Sequence, residues 1–234
     1  MTTLIVHHLG GAWGLPSVSP FCLKLDAYLR LAGIEHRAVV DATPFGAPKG
    51  KAPWIEHDGK KIGDSSFIVD YLREHFPVDP DAALSPAEKG AARGLKRLIE
   101  ENLYWTMVYD RWVVEPNWRV FRDIVLGGVA PPLRAVIGPL ARRGVKKQLR
   151  GHGIGLHSPD EIHAIGIGDA EAIADYLGDK PFLMGQNPTA IDASAYGLLA
   201  NIVVPPIASP IKDAILKRRT LTDYVDRFRQ RYYA

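Results

Sequence analysis

The chain has 234 residues, 47% of them hydrophobic, a formal net charge of +3 and a single cysteine. That length admits one large domain or two small ones, and so mild a charge argues against nucleic acid or an acidic membrane as partner. Cys22 alone can form neither an internal disulfide nor a cysteine-only metal site, which fits a reducing compartment. The N-terminus has no charged stretch before an apolar core, and no run of about 18 apolar residues exists to span a bilayer, so a cytoplasmic protein is expected.

In chain order, Thr2 to His8 is β-branched and apolar enough for a buried strand. The Gly-rich loop Gly10 to Pro16 is too irregular for a phosphate loop and lacks the Gly-Lys-Ser/Thr ending. Ser19-Pro20-Phe21-Cys22 then opens a helix, with apolar residues at Phe21, Leu25, Tyr28, Leu29 and Ala32 on one face and Gly33 as its end. Ser19 suits the N-cap, and Pro20 suits the first helical position, where no amide donor is needed. Ser19 therefore stands at the positive end of a helix, a place that favours an anion such as a thiolate. Cys22, inside the first turn of an apolar helix, is expected to be a packed thiol. Glu35 to Val40 reads as a strand that completes a parallel β-α-β unit, and Thr43 to Lys51 as loop with at most one helical turn.

Trp54, Ile55 and Ile62 mark two strands joined by a hairpin turn at Asp58-Gly59. Pro53 opens the first of them; a cis bond there would expose the Ala52 backbone to an extended ligand. Gly63-Asp64-Ser65-Ser66 precedes a second apolar helix and offers N–H groups and hydroxyls that suit a carboxylate.

Phe76 to Asp81 breaks the pattern and reads as an interdomain linker, with everything beyond it helical. The expected division is 1–77, a linker 78–85, and 86–234. Ser85 to Glu88 is a capping box, and its helix is predicted to run to about Val114, with Pro116 as the stop. Tyr104, Trp105, Tyr109 and Trp112 on that helix are best read as core packing. Val120 to Leu149 suggests a hairpin-like helical insertion over a cleft or dimer surface, with contact to a membrane surface as the alternative. Gly151 to His157 is expected to be a flexible loop. His152, His157 and His163 invite a metal, but Asp160 and Glu161 are better explained by the capping box from Ser158 to Glu161, so no metal site is assigned. That helix reaches about Leu177, a connector follows, and Thr189-Ala190-Ile191-Asp192 caps an apolar helix that Pro205-Pro206 stops. Leu221 to Tyr232 is the last predicted helix.

The order of strand, Ser-Pro-Phe-Cys, helix, strand, Ala-Pro before a hairpin and Asp-Ser before a helix resembles the glutathione S-transferase superfamily. Ser19 and Cys22 fall on the two ends of the redox Cys-x-x-Cys motif, with serine replacing the first cysteine. The wording Lys-Ala-Pro-Trp-Ile and Gly-Asp-Ser-Ser is most similar to the branch of failed-axon-connections-like and metaxin-like proteins. The resemblance implies an α/β thioredoxin-like N-terminal domain followed by an all-α C-terminal domain, with Thr189 and Asp192 as that helical domain's folding motif. It implies that Ser19 donates to the glutathione thiolate, with Ser17 the nearest rival. Ala52 and Pro53 would pair with the cysteinyl backbone, and Asp64 and Ser65 would hold the γ-glutamyl end. Trp13, Tyr104, Trp105 and Tyr109 become candidates for the electrophile site. The implied protein is a homodimeric enzyme that takes glutathione as co-substrate and adds it to a small electrophile; the alternative is a non-catalytic glutathione or ligand binder or a scaffold. No lysine or arginine stands out for glutathione's glycyl carboxylate.

Overall fold

The computed structural model describes residues 3–40 and 46–234. Thr2, at the start of the first expected strand, and residues 43–45 of the expected loop lie outside the described residues. A four-stranded sheet comes first, built from β1 (Ile5–His8), β2 (Arg37–Val40), β3 (Trp54–His57) and β4 (Lys60–Gly63) in the spatial order β2-β1-β3-β4. As expected, β1 and β2 run parallel across the crossover helix α1 (Pro20–Ala32). Strands β1 and β3, and β3 and β4, run antiparallel. The β3–β4 turn has Asp58 at φ 47° and Gly59 at φ 74°, the left-handed pair that a two-residue hairpin needs. Helix α1 ends at Gly33 with φ 64°, whose amide closes the last turn on Arg30 and Leu29.

α1 is buried on more than one face, because the sheet lies on one side and the helical domain on the other. Leu23, Leu25 and Leu29 are each at most 1% exposed, and burying each contributes about 1.5–3 kcal/mol. Helix α2 (Ser65–His75) closes the thioredoxin-like domain, and the chain runs without helix or strand from Phe76 to Ser85.

The helical domain begins at α3 (Pro86–Arg97), with the expected Ser85–Glu88 capping box. The long helix predicted to reach Val114 is not uniform. Leu98–Leu103 is a π-helical stretch, followed by α4 (Tyr104–Trp112). Pro116 is not its stop: it sits in the first turn of α5 (Glu115–Val125), where a proline fits as well as after a helix end. Helices α5 and α6 (Pro131–His152) form the expected helical hairpin. Gly151 and His152, expected in a flexible loop, are the last turn of α6, and a short 3₁₀ turn, Ile154–Leu156, follows. Helix α7 (Pro159–Leu177) starts at the predicted Ser158 capping box. Helix α8 (Ala190–Val203) is the centre of the domain, with Ala190 and Val203 its only residues outside the fully buried set. The sequence reading has no counterpart of α9 (Pro210–Lys217), which precedes α10 (Arg219–Tyr232).

The two domains meet where α8 packs on α1. Gly197 permits the contact, since a Cβ there would lie 2.7 Å from the Pro20 carbonyl oxygen and 2.8 Å from the Lys24 amide. The start of α1 is thus fixed by the helical domain as well as by its own sheet.

Candidate functional site

Register brings the separate motifs to one end of the sheet. Trp54, the first residue of β3, pairs with both His7 near the end of β1 and Gly63 at the end of β4. The chain leaving β1 toward Ser19, the Ala52-Pro53 step into β3 and the Asp64-Ser65 step out of β4 therefore converge. The Ala52–Pro53 bond is cis, with Pro53 buried and Ala52 half-buried.

Ser19 caps α1 in extended conformation, its Oγ accepting from the Cys22 amide at 3.3 Å. A hydroxyl that accepts there keeps its own proton for another acceptor. Ser17 differs: it is 1% exposed, its hydroxyl donates to the Leu9 carbonyl at 2.7 Å, and it accepts from the Ser19 amide at 3.2 Å. Its proton is spent inside the protein. Cys22 is 2% exposed, as expected of a packed thiol; burial pushes its pKa up, and the polar groups of neighbouring Ser19, Leu9 and Ser17 act the other way to a smaller extent.

At the opening of α2, Asp64 adopts φ 82° and accepts the Ser66 amide at 2.9 Å. Ser65 is 5% exposed and its Oγ accepts from the Lys24 ammonium at 3.1 Å. Lys24 is itself buried beneath this turn. It pairs with Glu100 at 2.7 Å and also reaches the Ser66 hydroxyl at 3.4 Å. Burial lowers the Lys24 pKa, and Glu100 acts against that shift. Glu100 comes from the π-helical stretch, a feature frequent at functional sites, and also accepts from Ser194 of α8 at 2.7 Å. Because Ser65 accepts from an ammonium, its proton is directed to some other acceptor.

The sequence reading passed over Lys24, although one signal was present. Asp26 and Arg30 pair with each other at 2.9 Å along α1, whereas Lys24 has Pro20, Phe21, Ala27 and Tyr28 at its helical neighbours and no acid among them. A lysine between two leucines without a partner on its own helix needs one from elsewhere.

The four candidate wall residues do not form one surface. Tyr104 packs its ring 4.8 Å from Phe21, next to the cap of α1. Trp105 meets Tyr104 edge-on, but its face stacks on His152 at 4.9 Å. Tyr109 meets His163 edge-on at 6.0 Å. Trp13, held at φ 55°, packs against the small apolar cluster of Val18, Trp118, Phe121 and Ile207. Tyr104 lies at the Ser19 end, and Trp13 belongs to the loop leading to it. Trp105 and Tyr109 turn toward α6 and α7.

A family model of the glutathione S-transferase N-terminal domain matches residues 20–118, and one of the C-terminal domain matches 166–228. The chain is 33% identical to the isoprene-epoxide–glutathione S-transferase of Rhodococcus sp. (strain AD45), with 94% of this chain and 95% of that protein covered. This chain belongs to the glutathione S-transferase family. It is also 28% identical to Failed axon connections of Drosophila melanogaster, spanning 94% of this chain but 55% of that protein, and metaxin-3 of Xenopus laevis is 29% identical. Among solved structures it resembles the beta-etherase LigF from Sphingobium sp. strain SYK-6, with a TM-score of 0.69, 18% identity and coverage of 97% and 95%. A glutathione S-transferase from Methylobacterium radiotolerans, solved with glutathione sulfonate, has a TM-score of 0.63 at 18% identity, with 98% of this chain and 92% of that one covered.

In this chain the Thr189–Asp192 box closes on itself. Asp192 accepts from the Thr189 amide at 2.8 Å, the Thr189 hydroxyl at 3.0 Å, the Leu183 amide at 2.8 Å and the Tyr224 hydroxyl at 3.0 Å. Burial raises its pKa, and those hydrogen bonds oppose the rise. The three histidines noted in the sequence have separate surroundings: His152 lies on Trp105, His157 is 3.8 Å from Glu161, and His163 bonds Asp110 at 2.8 Å. Among the described residues no group of three or more ligating side chains could hold a metal, and no helix is long and apolar enough to cross a membrane.

Proposed function

We propose that this glutathione transferase binds glutathione at the shared end of β1, β3 and β4, and ionises its thiol for attack on a small electrophile. The observation that carries the reading is the Ser19 hydroxyl, which accepts from the helix and so keeps a proton to donate, while the Ser17 proton is spent on Leu9.

The free thiol titrates near ~8.5, and lowering that by ~2 units takes about 2.7 kcal/mol of preference for the thiolate. A helix N-terminus supplies ~0.3–1 kcal/mol, or up to ~2 when partly buried. A hydroxyl hydrogen bond to a charged acceptor supplies roughly 1.5–3 kcal/mol. The two together suffice without deprotonating Ser19.

Along the rest of the tripeptide, the Ala52 backbone next to cis-Pro53 pairs with the cysteinyl unit. Asp64 takes the γ-glutamyl ammonium, and Ser65, oriented by Lys24 behind it, donates to the γ-glutamyl carboxylate. Tyr104 and Trp13 flank the incoming electrophile. The similarity to an isoprene-epoxide transferase supports an epoxide as that electrophile. Sulfur then attacks an epoxide carbon, the C–S bond forms as the C–O bond breaks, and the resulting alkoxide takes a proton from solvent.

Similarity to Failed axon connections and the metaxins favours a second reading, a protein that binds glutathione or another ligand without turnover. Glutathione-affinity chromatography followed by a thioether-forming assay with a small epoxide separates the two. Retention with turnover supports the enzyme, retention without turnover supports the binder, and failure to bind glutathione rejects both glutathione readings.

A further inference from the structure

A second buried cation lies close to the cap of α1, and among the described residues no carboxylate compensates it. Arg111, in the last turn of α4, is 3% exposed. Its Nη1 donates to the Val18 carbonyl at 2.8 Å, the peptide immediately before Ser19. Its Nη2 donates to the Asn201 carbonyl and to Asn201 Oδ1, the latter at 3.0 Å, and its guanidinium lies 5.0 Å from the centre of the Phe121 ring. Asn201, on α8, in turn donates to the Ser17 carbonyl at 3.4 Å and the Gly197 carbonyl at 3.0 Å. The carbonyls of both residues preceding Ser19 are therefore gripped from the helical domain.

No acidic side chain pairs with Arg111 among the described residues. Its sequence neighbour Asp110 faces Ser209 and His163 instead. Burial lowers the Arg111 pKa to about 10, with Tyr104 acting the other way, so the group is still charged at neutral pH. The other titratable groups near this loop are Tyr104 and Cys22, both with pKa values raised by burial and both neutral at that pH. An isolated buried charge is costly, and hydrogen bonds from neutral carbonyls offset only part of that cost. An anion beside Ser19 would supply the missing counter-charge in a setting of low dielectric.

Resting on the glutathione reading above, we infer that Arg111 is a positioning residue of the thiolate site: it fixes the Ser17–Ser19 loop from the other domain, and its charge favours the ionised sulfur one peptide away. Tyrosine and cysteine there supply no such charge, and Asn201 is the second half of the clamp.

The test is a pH titration of thiolate absorbance in the complex of glutathione with the wild-type protein, Arg111→Gln, Arg111→Lys and Asn201→Asp. Arg111→Gln should raise the pKa of the bound thiol by about one unit, from ~6.5 to ~7.5, leaving about threefold less thiolate at pH 7. It should lower kcat at neutral pH, with recovery at higher pH and little change in KM for glutathione. Arg111→Lys keeps the charge and should restore most of the shift. Asn201→Asp gives Arg111 a carboxylate partner that cancels its charge and also removes the donations to the Ser17 and Gly197 carbonyls, so it should raise the thiol pKa as Arg111→Gln does. A wild-type complex with a lowered thiol pKa that neither Arg111→Gln nor Asn201→Asp changes overturns this inference alone. A wild-type complex with no lowered pKa overturns the glutathione mechanism and this inference together.

Discussion

Two helix starts in this molecule use the same local chemistry and come to opposite ends. At α8, Thr189 and Asp192 form a box in which one carboxylate takes four donors, two of them from distant Leu183 and Tyr224. Asp192 is 0% exposed, and no ligand could reach it. At α1, Ser19 takes a single amide, remains half-exposed and keeps its proton. Both positions read as N-caps in the sequence, and both stabilise a helix. What separates a closed turn from a receptive one is whether every donor and acceptor is already matched within the protein.

The largest expected effect comes from opening the closed turn. A lone N-cap replaced by alanine costs about 0.5–2 kcal/mol, but Asp192→Ala would leave several buried donors without an acceptor. A loss of about 3–5 kcal/mol is expected, measured by urea unfolding; a loss below 1 kcal/mol would show that Asp192 is an ordinary cap. Next comes the γ-glutamyl turn, where the comparison can be sharpened. Lys24→Met removes the ammonium that Ser65 accepts from, frees the hydroxyl to turn, and should weaken glutathione binding by about 1.5–3 kcal/mol in calorimetry. An unchanged dissociation constant would mean that Ser65 does not hold the ligand through that hydroxyl. The smallest effect is expected at Ser17. Ser17→Ala loses its bonds to Leu9 and the Ser19 amide and should cost about 1 kcal/mol of stability, while the thiol pKa of bound glutathione stays in place. A moved pKa in that variant would transfer the donor role from Ser19 to Ser17.

Much of the fold was legible because its signals are local. Asp58-Gly59, Gly33, and the boxes at Ser85, Ser158 and Thr189 each fix their turn through neighbours a few residues away. The converging positions of Ser19, Pro53 and Ser65 could be anticipated through the family resemblance. The π-helical stretch at Leu98–Leu103 could not, since apolar spacing on either side of it still matches an ordinary helix. Pro116 was ambiguous for a different reason: proline is equally at home just past one helix and in the first turn of the next. Lys24 and Arg111 stayed hidden because their partners, Glu100, Ser65, Val18 and Asn201, are far away in sequence. Nothing along α1 distinguishes Lys24 from a solvated cation except the lack of a nearby acid, and Arg111, with Asp110 beside it and Glu115 four residues on, carries no such signal.

The measurement that bears most directly on the Ser19 proton is the thiolate titration of glutathione bound to Ser19→Ala. Loss of the cap should cost about 0.5–2 kcal/mol of stability and leave glutathione affinity nearly intact, while the thiol pKa rises by about 1–2 units. A titration curve that superimposes on that of the wild-type complex, in a variant that still binds glutathione, would contradict the assignment of Ser19 as thiolate donor.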